Sequence, residues 1–147
     1  MGMLSENLDN HNAVSYYNSA IEIEPNNIEG YRNKGLFYHF RSEYINARKS
    51  FKKIINIDSN FEETYFNIGN TYLGQYDQIN NNDFLDSAFF YFKKANDLNQ
   101  YYVQAIHNIG LCYEIKKDFE MAKSYYKKAI EIDNNYNPSL NALNSLY

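Results

Sequence analysis

The chain is poor in the residues that mark many protein classes. Its 147 residues include no tryptophan, one cysteine, two prolines and six glycines. A lone Cys112 excludes a disulfide framework and makes a reducing compartment the default. Scarce proline and glycine suit helices, because both disfavour helix interiors. The strict alternation of apolar and polar residues that marks strands is missing. No apolar run approaches the ~18 residues of a membrane span. The opening MGMLSE lacks the charged and apolar regions of a signal peptide, and Glu6 stands where a myristoylation signal needs Ser or Thr. Basic residues are outnumbered, 14 against 18 acidic, for a net charge of −4 and a pI of about 5.3. That balance argues against a nucleic-acid backbone as the main partner. The expectation is a soluble, cytoplasmic chain without a membrane or nucleic-acid partner.

Catalytic signatures are also missing. There is no HExxH, CxxC, GxxxxGK[ST] or GxSxG, and no Gly-rich loop after a strand. His11, His39 and His107 are too dispersed for a metal triad, and no Cys or carboxylate recurs at ligand spacing. Cys112 precedes Tyr113, an apolar-face residue, and reads as a small buried hydrophobe. No enzymatic activity, cofactor or metal is expected.

What the chain does have is apolar and aromatic material, 44% and 18% of its residues, ample for a core. Asparagine makes up about one residue in six. AT-rich codons explain that excess, so it carries functional weight only at particular positions. Lysines fall in pairs, Lys52-Lys53, Lys93-Lys94 and Lys127-Lys128, which read as a repeating solvated face rather than a phosphate-binding stripe.

The strongest signal is repetition. Val103–Tyr136 reads VQAIHNIGLCYEIKKDFEMAKSYYKKAIEIDNNY, two amphipathic helical patterns joined by a polar turn at Lys116–Asp118. Its skeleton is Ile106, Ile109-Gly110, Tyr113, Ala122, Tyr126 and Ala129. The skeleton recurs as Tyr31, Gly35, Tyr38, Ala47, Phe51 and Ile54, and as Tyr65, Ile68-Gly69, Tyr72, Ala88, Phe92 and Ala95. Gly35 and Gly69 lie 34 residues apart, while Gly69 and Gly110 lie 41 apart, so the middle copy carries seven extra residues. On these residues the chain resembles the tetratricopeptide-repeat family over nearly its whole length, with the 34-residue helix–turn–helix period of that family. The resemblance implies an all-α fold, a right-handed superhelical solenoid of antiparallel helix pairs. Glycines facing Ala47, Ala88 and Ala122 would let helix axes approach at the short end of the usual range of about 8–10 Å. The aromatics would fill the space between helices.

The chain reads as one tetratricopeptide domain over residues 1–147. Residues 8–27 form a partial repeat: Ala13, Tyr17 and Ala20 give a second-type helix from Asp9 to Glu24, ended by Pro25. Met1–Asn7 are weakly patterned. Either the array was cut at this end or the helix is an unpaired cap. Full repeats follow at 28–61, 62–102 and 103–136. Lys34 takes a place usually held by leucine, so either α-helical packing is poorer there or the lysine stem covers the gap. The insertion lies near 74–83. It lengthens each helix by a turn or, the preferred reading, makes a loop at Asn80–Asn82 with Asp83 as N-cap. Residues 137–147 form a C-terminal capping helix, with Pro138 in its first turn. Leu140, Leu143 and Leu146 would face the array and Asn141, Asn144 and Ser145 the solvent.

In this family the first helices line an inner groove, and the resemblance implies a protein-interaction module that binds a peptide or helical segment there. The inferred groove residues are Arg32, Asn33, Leu36 and His39, then Phe66, Asn67 and Asn70, then His107, Asn108 and Leu111. Asn33, Asn67 and Asn108 share one register. A carboxamide both donates and accepts, so it can pair with a peptide backbone regardless of sequence. Leu36, Phe66, Leu73 and Leu111 would supply apolar contact, unless packing within the array absorbs them, Leu36 and Leu73 at least. Family members that clamp a chaperone's C-terminal carboxylate carry Lys and Asn on one helix, Asn on the next, and Lys and Arg on the third. Those places here hold Arg32 and Leu36, Asn67, then Gln104 and Asn108. Only Asn67 matches, so a chaperone-tail receptor is not expected. The alternative function is structural, self-assembly within a larger complex through the open face of the N-terminal helix.

Overall fold

The computed structural model describes the backbone of residues 2–147 and the side chains of residues 12–147. His11 therefore lies outside the described side chains. Eight helices follow one another: α1 (Gly2–Ile23), α2 (Ile28–Phe40), α3 (Tyr44–Ile57), α4 (Glu62–Ile79), α5 (Asn82–Leu98), α6 (Val103–Ile115), α7 (Phe119–Ile132) and α8 (Asn137–Ser145). No strand occurs among the described residues. The weakly patterned start continues α1 rather than preceding it. Contacts group the chain into two compact blocks, Met1–Asn60 and Phe61–Tyr147. In the first, α2 packs on α1 and α3; in the second, α4 to α8 pack each on the next.

The core is the repeated skeleton. Ala47, Phe51 and Ile54 in the first block, and Ile68, Ala88, Phe92, Ala95, Ile106, Ile109, Ala122, Tyr126 and Ala129 in the second, are fully buried. One expectation needs correcting. The neighbours that require the three glycines are aromatic rings of the second helix, not the alanines. A Cβ at Gly35 would lie 2.4 Å from the Phe51 ring, one at Gly69 2.6 Å from Phe92, and one at Gly110 2.7 Å from Tyr126. Each of these three helix pairs closes with a ring set against a bare backbone.

The insertion also differs from expectation. It is not a protruding loop: both helices of the middle pair absorb it. α4 has 18 residues against 13 in α2 and α6, and α5 has 17 against 14 in α3 and α7. The turn shrinks to Asn80-Asn81. Asn80 takes a left-handed conformation (φ 54°), and Asn81, not Asp83, is the N-cap, its Oδ1 accepting from the Asp83 amide. Phe84 in the added turn stacks on Tyr72, 6.4 Å between centroids.

The turns that follow α3, α5 and α7 are closed by side chains. Asp58, Asn99 and Asp133 each accept, through Oδ1, the amide two residues on, at 2.8–3.0 Å. These Asx turns supply the stop that proline would otherwise impose. Within pairs the turns use a left-handed residue, Ser42 (φ 61°) and Lys117 (φ 63°). For a residue with a Cβ that conformation costs about 1–2 kcal/mol. Lys117→Gly should therefore raise stability by up to about 1 kcal/mol, the remainder being offset by the freer unfolded chain; urea denaturation checks it.

In α8, Leu140, Leu143 and Leu146 are half-buried while Asn141, Asn144 and Ser145 are exposed. Ser139, unremarked in the sequence, is fully buried.

Candidate protein-interaction surface

In the first block the four inferred groove residues all lie on α2. Arg32 pairs with Glu29 one turn earlier (2.6 Å). Asn33 is exposed, and Leu36 is half-buried. His39 sits between the rings of Phe40 and Tyr44, each 5.6 Å away. Its buried Nδ1 has no hydrogen-bond partner. Burial lowers the pKa of this imidazole, favouring its neutral form.

In the second block the six residues divide by what they touch. Phe66 is packed inward, 5.8 Å from Phe92 and 5.1 Å from Tyr102. Leu73 likewise packs against the core. Asn108 Nδ2 donates to Asn70 Oδ1 (3.0 Å), tying α6 to α4. His107 is engaged by α8: Nδ1 lies 2.9 Å from Ser139 Oγ, and its ring packs on Tyr126 and Tyr136. Burial lowers its pKa, opposed by the Glu114 carboxylate. Leu111 is half-buried.

Asn67 is different. It is only 8% exposed, and its Nδ2 has no hydrogen-bond partner. Thus three asparagines in one register have three fates: Asn33 is wet, Asn67 is buried with a free donor, and Asn108 donates through Nδ2 to a neighbouring helix. Asn70, inferred for the groove, is instead the acceptor for Asn108; the residue that sequence reasoning missed is Ser139, the partner of His107.

The surface offers hydrogen bonds and apolar contact. The Cys112 thiol is fully buried, and burial pushes its pKa up to about 12, so it is a poor nucleophile. Among the described residues no group of three or more His, Cys, Asp or Glu could hold a metal ion. No described helix is long and apolar enough to cross a membrane.

Comparison with known proteins bears on this geometry. The tetratricopeptide-repeat profile matches residues 2–27 and 103–136. Those two segments carry the tetratricopeptide-repeat pattern. Over 82% of its length it is 28% identical to anaphase-promoting complex subunit 3 of Schizosaccharomyces pombe, of which it spans only 17%. The crystal structure of MamA superposes with a TM-score of 0.77, covering 97% of this chain and 80% of that one at 23% identity. The first tetratricopeptide domain of Spaghetti (RPAP3), bound to the HSP90 peptide SRMEEVD, gives a TM-score of 0.71 at 20% identity, covering 81% and 89%. At these identities the likeness concerns the fold, the all-α tetratricopeptide solenoid of helix pairs. α2 with α3, α4 with α5 and α6 with α7 are packed helix pairs, and α6 and α7 fall within the matched segment 103–136.

Proposed function

We propose that the chain is a non-catalytic protein-interaction module that takes a peptide or helical segment of another protein on its first-helix faces. In the second block the contacts would come from Asn67, Asn70, Asn108 and Leu111. On α2 they would come from Arg32, Asn33, Leu36 and His39.

Asn67 carries this reading. An unpaired buried amide donor costs about 1–3 kcal/mol, and a ligand backbone carbonyl would recover it once the Asn67 side chain turns outward. Phe66 and His107 support the surface from beneath, since packing holds both. An acidic chaperone tail of the kind bound by the RPAP3 domain is not the proposed ligand. Leu36 stands where the resemblance would need asparagine, and Gln104 and Asn108 stand where it would need lysine and arginine. α2 offers only Arg32, already paired with Glu29.

The test is a quantitative pull-down from the source lysate with wild type and an Asn33→Ala, Asn67→Ala, Asn108→Ala triple variant, after circular dichroism shows both folded. Partners held by the wild type should be lost from the triple variant and weakened by Asn67→Ala alone. Equal retention by all three proteins would refute binding through these asparagines.

The self-assembly alternative has its own observation. Tyr16 (75% exposed) and Ile23 (86%) lie seven residues apart along α1, on one outward stripe. Light scattering separates the readings: a concentration-independent monomer removes self-assembly.

A further inference from the structure

α2 presents two faces. One carries Arg32, Asn33, Leu36 and His39; the other, roughly opposite at about 100° per residue, carries Tyr31, Lys34 and Tyr38. With Asn46, Lys49, Ser50 and Lys53 of α3, this second face encloses an open cavity of about 210 Å³.

The other repeats set rings where the first has Ser50; the third keeps an open hollow of about 240 Å³ there, lined by Met121, Ser124, Tyr125 and Lys128, with one lysine where the first has three. The counterpart of Ser50 in the second repeat is Tyr91, whose ring stacks on Tyr72 at 5.5 Å and Tyr65 at 6.4 Å. In the third repeat it is Tyr125, stacked on Tyr113 at 5.5 Å. The counterparts of Lys34 are Ile68 and Ile109, both fully buried. The first repeat has therefore exchanged a ring for a hydroxymethyl group and an apolar side chain for an ammonium. Ser50 is 6% exposed and turns its hydroxyl back to the Asn46 carbonyl (3.3 Å), leaving the space open.

Charge collects at the same place. Residues 28–57 hold seven basic and two acidic side chains, in a chain whose net charge is −4. Both acids, Glu29 and Glu43, are engaged, by Arg32 and Arg41. The hydrogen-bond partner of Lys34 Nζ is the neutral Asn18 Oδ1, 2.6 Å away. Among the described residues none of Lys34, Lys49 and Lys53 forms an ion pair. Three uncompensated ammonium groups around a concavity raise the local concentration of anions. Lysine meets phosphoryl oxygens as a point charge, without the bidentate geometry that arginine imposes on a carboxylate.

We propose that this cavity binds a phosphomonoester. Lys34, Lys49 and Lys53 contact the phosphoryl oxygens, and Tyr31 and Tyr38 flank the organic part of the ester. A phosphorylated side chain of a protein partner and a free small phosphomonoester share this chemistry. The site does not rest on the peptide-binding reading, since it lies on the other face of α2.

The experiment is an NMR titration of the ¹⁵N-labelled chain with phenyl phosphate at constant ionic strength. Saturable amide shifts are expected around Tyr31–Tyr38 and Asn46–Lys53. Ser50→Tyr restores the ring that the other repeats carry and leaves every lysine in place; it should weaken binding at least about ten-fold without lowering the melting temperature. Lys34→Ile should weaken it similarly. Shifts that never saturate, or a folded Ser50→Tyr chain that binds as the wild type does, would overturn the site. A phosphotyrosine peptide bound at least about ten-fold more tightly than phenyl phosphate would identify a protein side chain as the source. Equal binding would identify the free ester.

Discussion

Gly69→Val should destabilise the second block by about 2–3 kcal/mol. Even the first added carbon has no room: it would stand 2.6 Å from Cε1 and 2.7 Å from Cδ1 of Phe92. That ring is fully buried in α5 and packed against Phe66 on α4, so it cannot swing aside. Gly69→Ala meets the same ring but recovers about 1 kcal/mol of helix propensity, leaving a net loss of about 0–2 kcal/mol. Phe92→Leu alone loses ring contacts and leaves a gap, as other large-to-small core changes do. In the double variant Gly69→Ala, Phe92→Leu, the new methyl enters the space the ring vacated. The combined loss should then be smaller than the sum of the single losses by about 0.5–3 kcal/mol. Urea denaturation followed by far-UV circular dichroism measures all four proteins. Simple additivity would mean that ring and glycine do not touch.

The same contact shows what the sequence could and could not tell. Gly35, Gly69 and Gly110 mark the repeats because a ring lies over each, and the rings at Phe51, Phe92 and Tyr126 recur at matching positions, so helix order was legible. The solvated and packed faces of α8 were legible for the same reason, a period set by helix geometry. The insertion was misread because GQYDQINNND is polar, and polarity resembles a loop. Two properties of asparagine decided otherwise: Asn80 tolerates the left-handed region, and Asn81 caps the next helix, so two residues suffice for the turn. Phe84 on Tyr72 then holds the added turn of α5. At the candidate surface, register alone made Asn33, Asn67 and Asn108 equivalent. They differ because of contacts from other helices, Asn70 reaching Asn108 being the decisive one. Such contacts depend on packing between helices and leave no periodic trace.

Glu114→Leu should cost about 1–3 kcal/mol, although leucine is apolar and occupies the same register in the second repeat as Leu73. The reason is Tyr126, which stands where the other repeats have Phe51 and Phe92. It is fully buried, and its hydroxyl donates to Glu114 Oε2 at 2.6 Å. Burial, and then that bond, raise its pKa well above the usual tyrosine range, so the hydroxyl stays protonated and needs an acceptor. Removing the carboxylate strands the donor. Tyr126→Phe removes the donor but leaves a half-buried carboxylate that water can reach, so its cost is smaller, about 0.5–1.5 kcal/mol. The double variant Glu114→Leu, Tyr126→Phe copies the Leu73 and Phe92 pair of the second repeat and should lie close to wild type, because replacing both partners by apolar groups strands neither. A second readout is His107. The Glu114 carboxylate raises its pKa against the larger effect of burial, so Glu114→Leu should lower the His107 pKa further in an NMR titration. Neutrality of the single Glu114→Leu change would mean that the Tyr126 hydroxyl finds another acceptor. An unmoved His107 pKa would place the Glu114 charge too far from the ring to act on it. Both outcomes expected together would make Glu114 the residue through which α6 holds α7 and tunes the imidazole that α8 engages through Ser139.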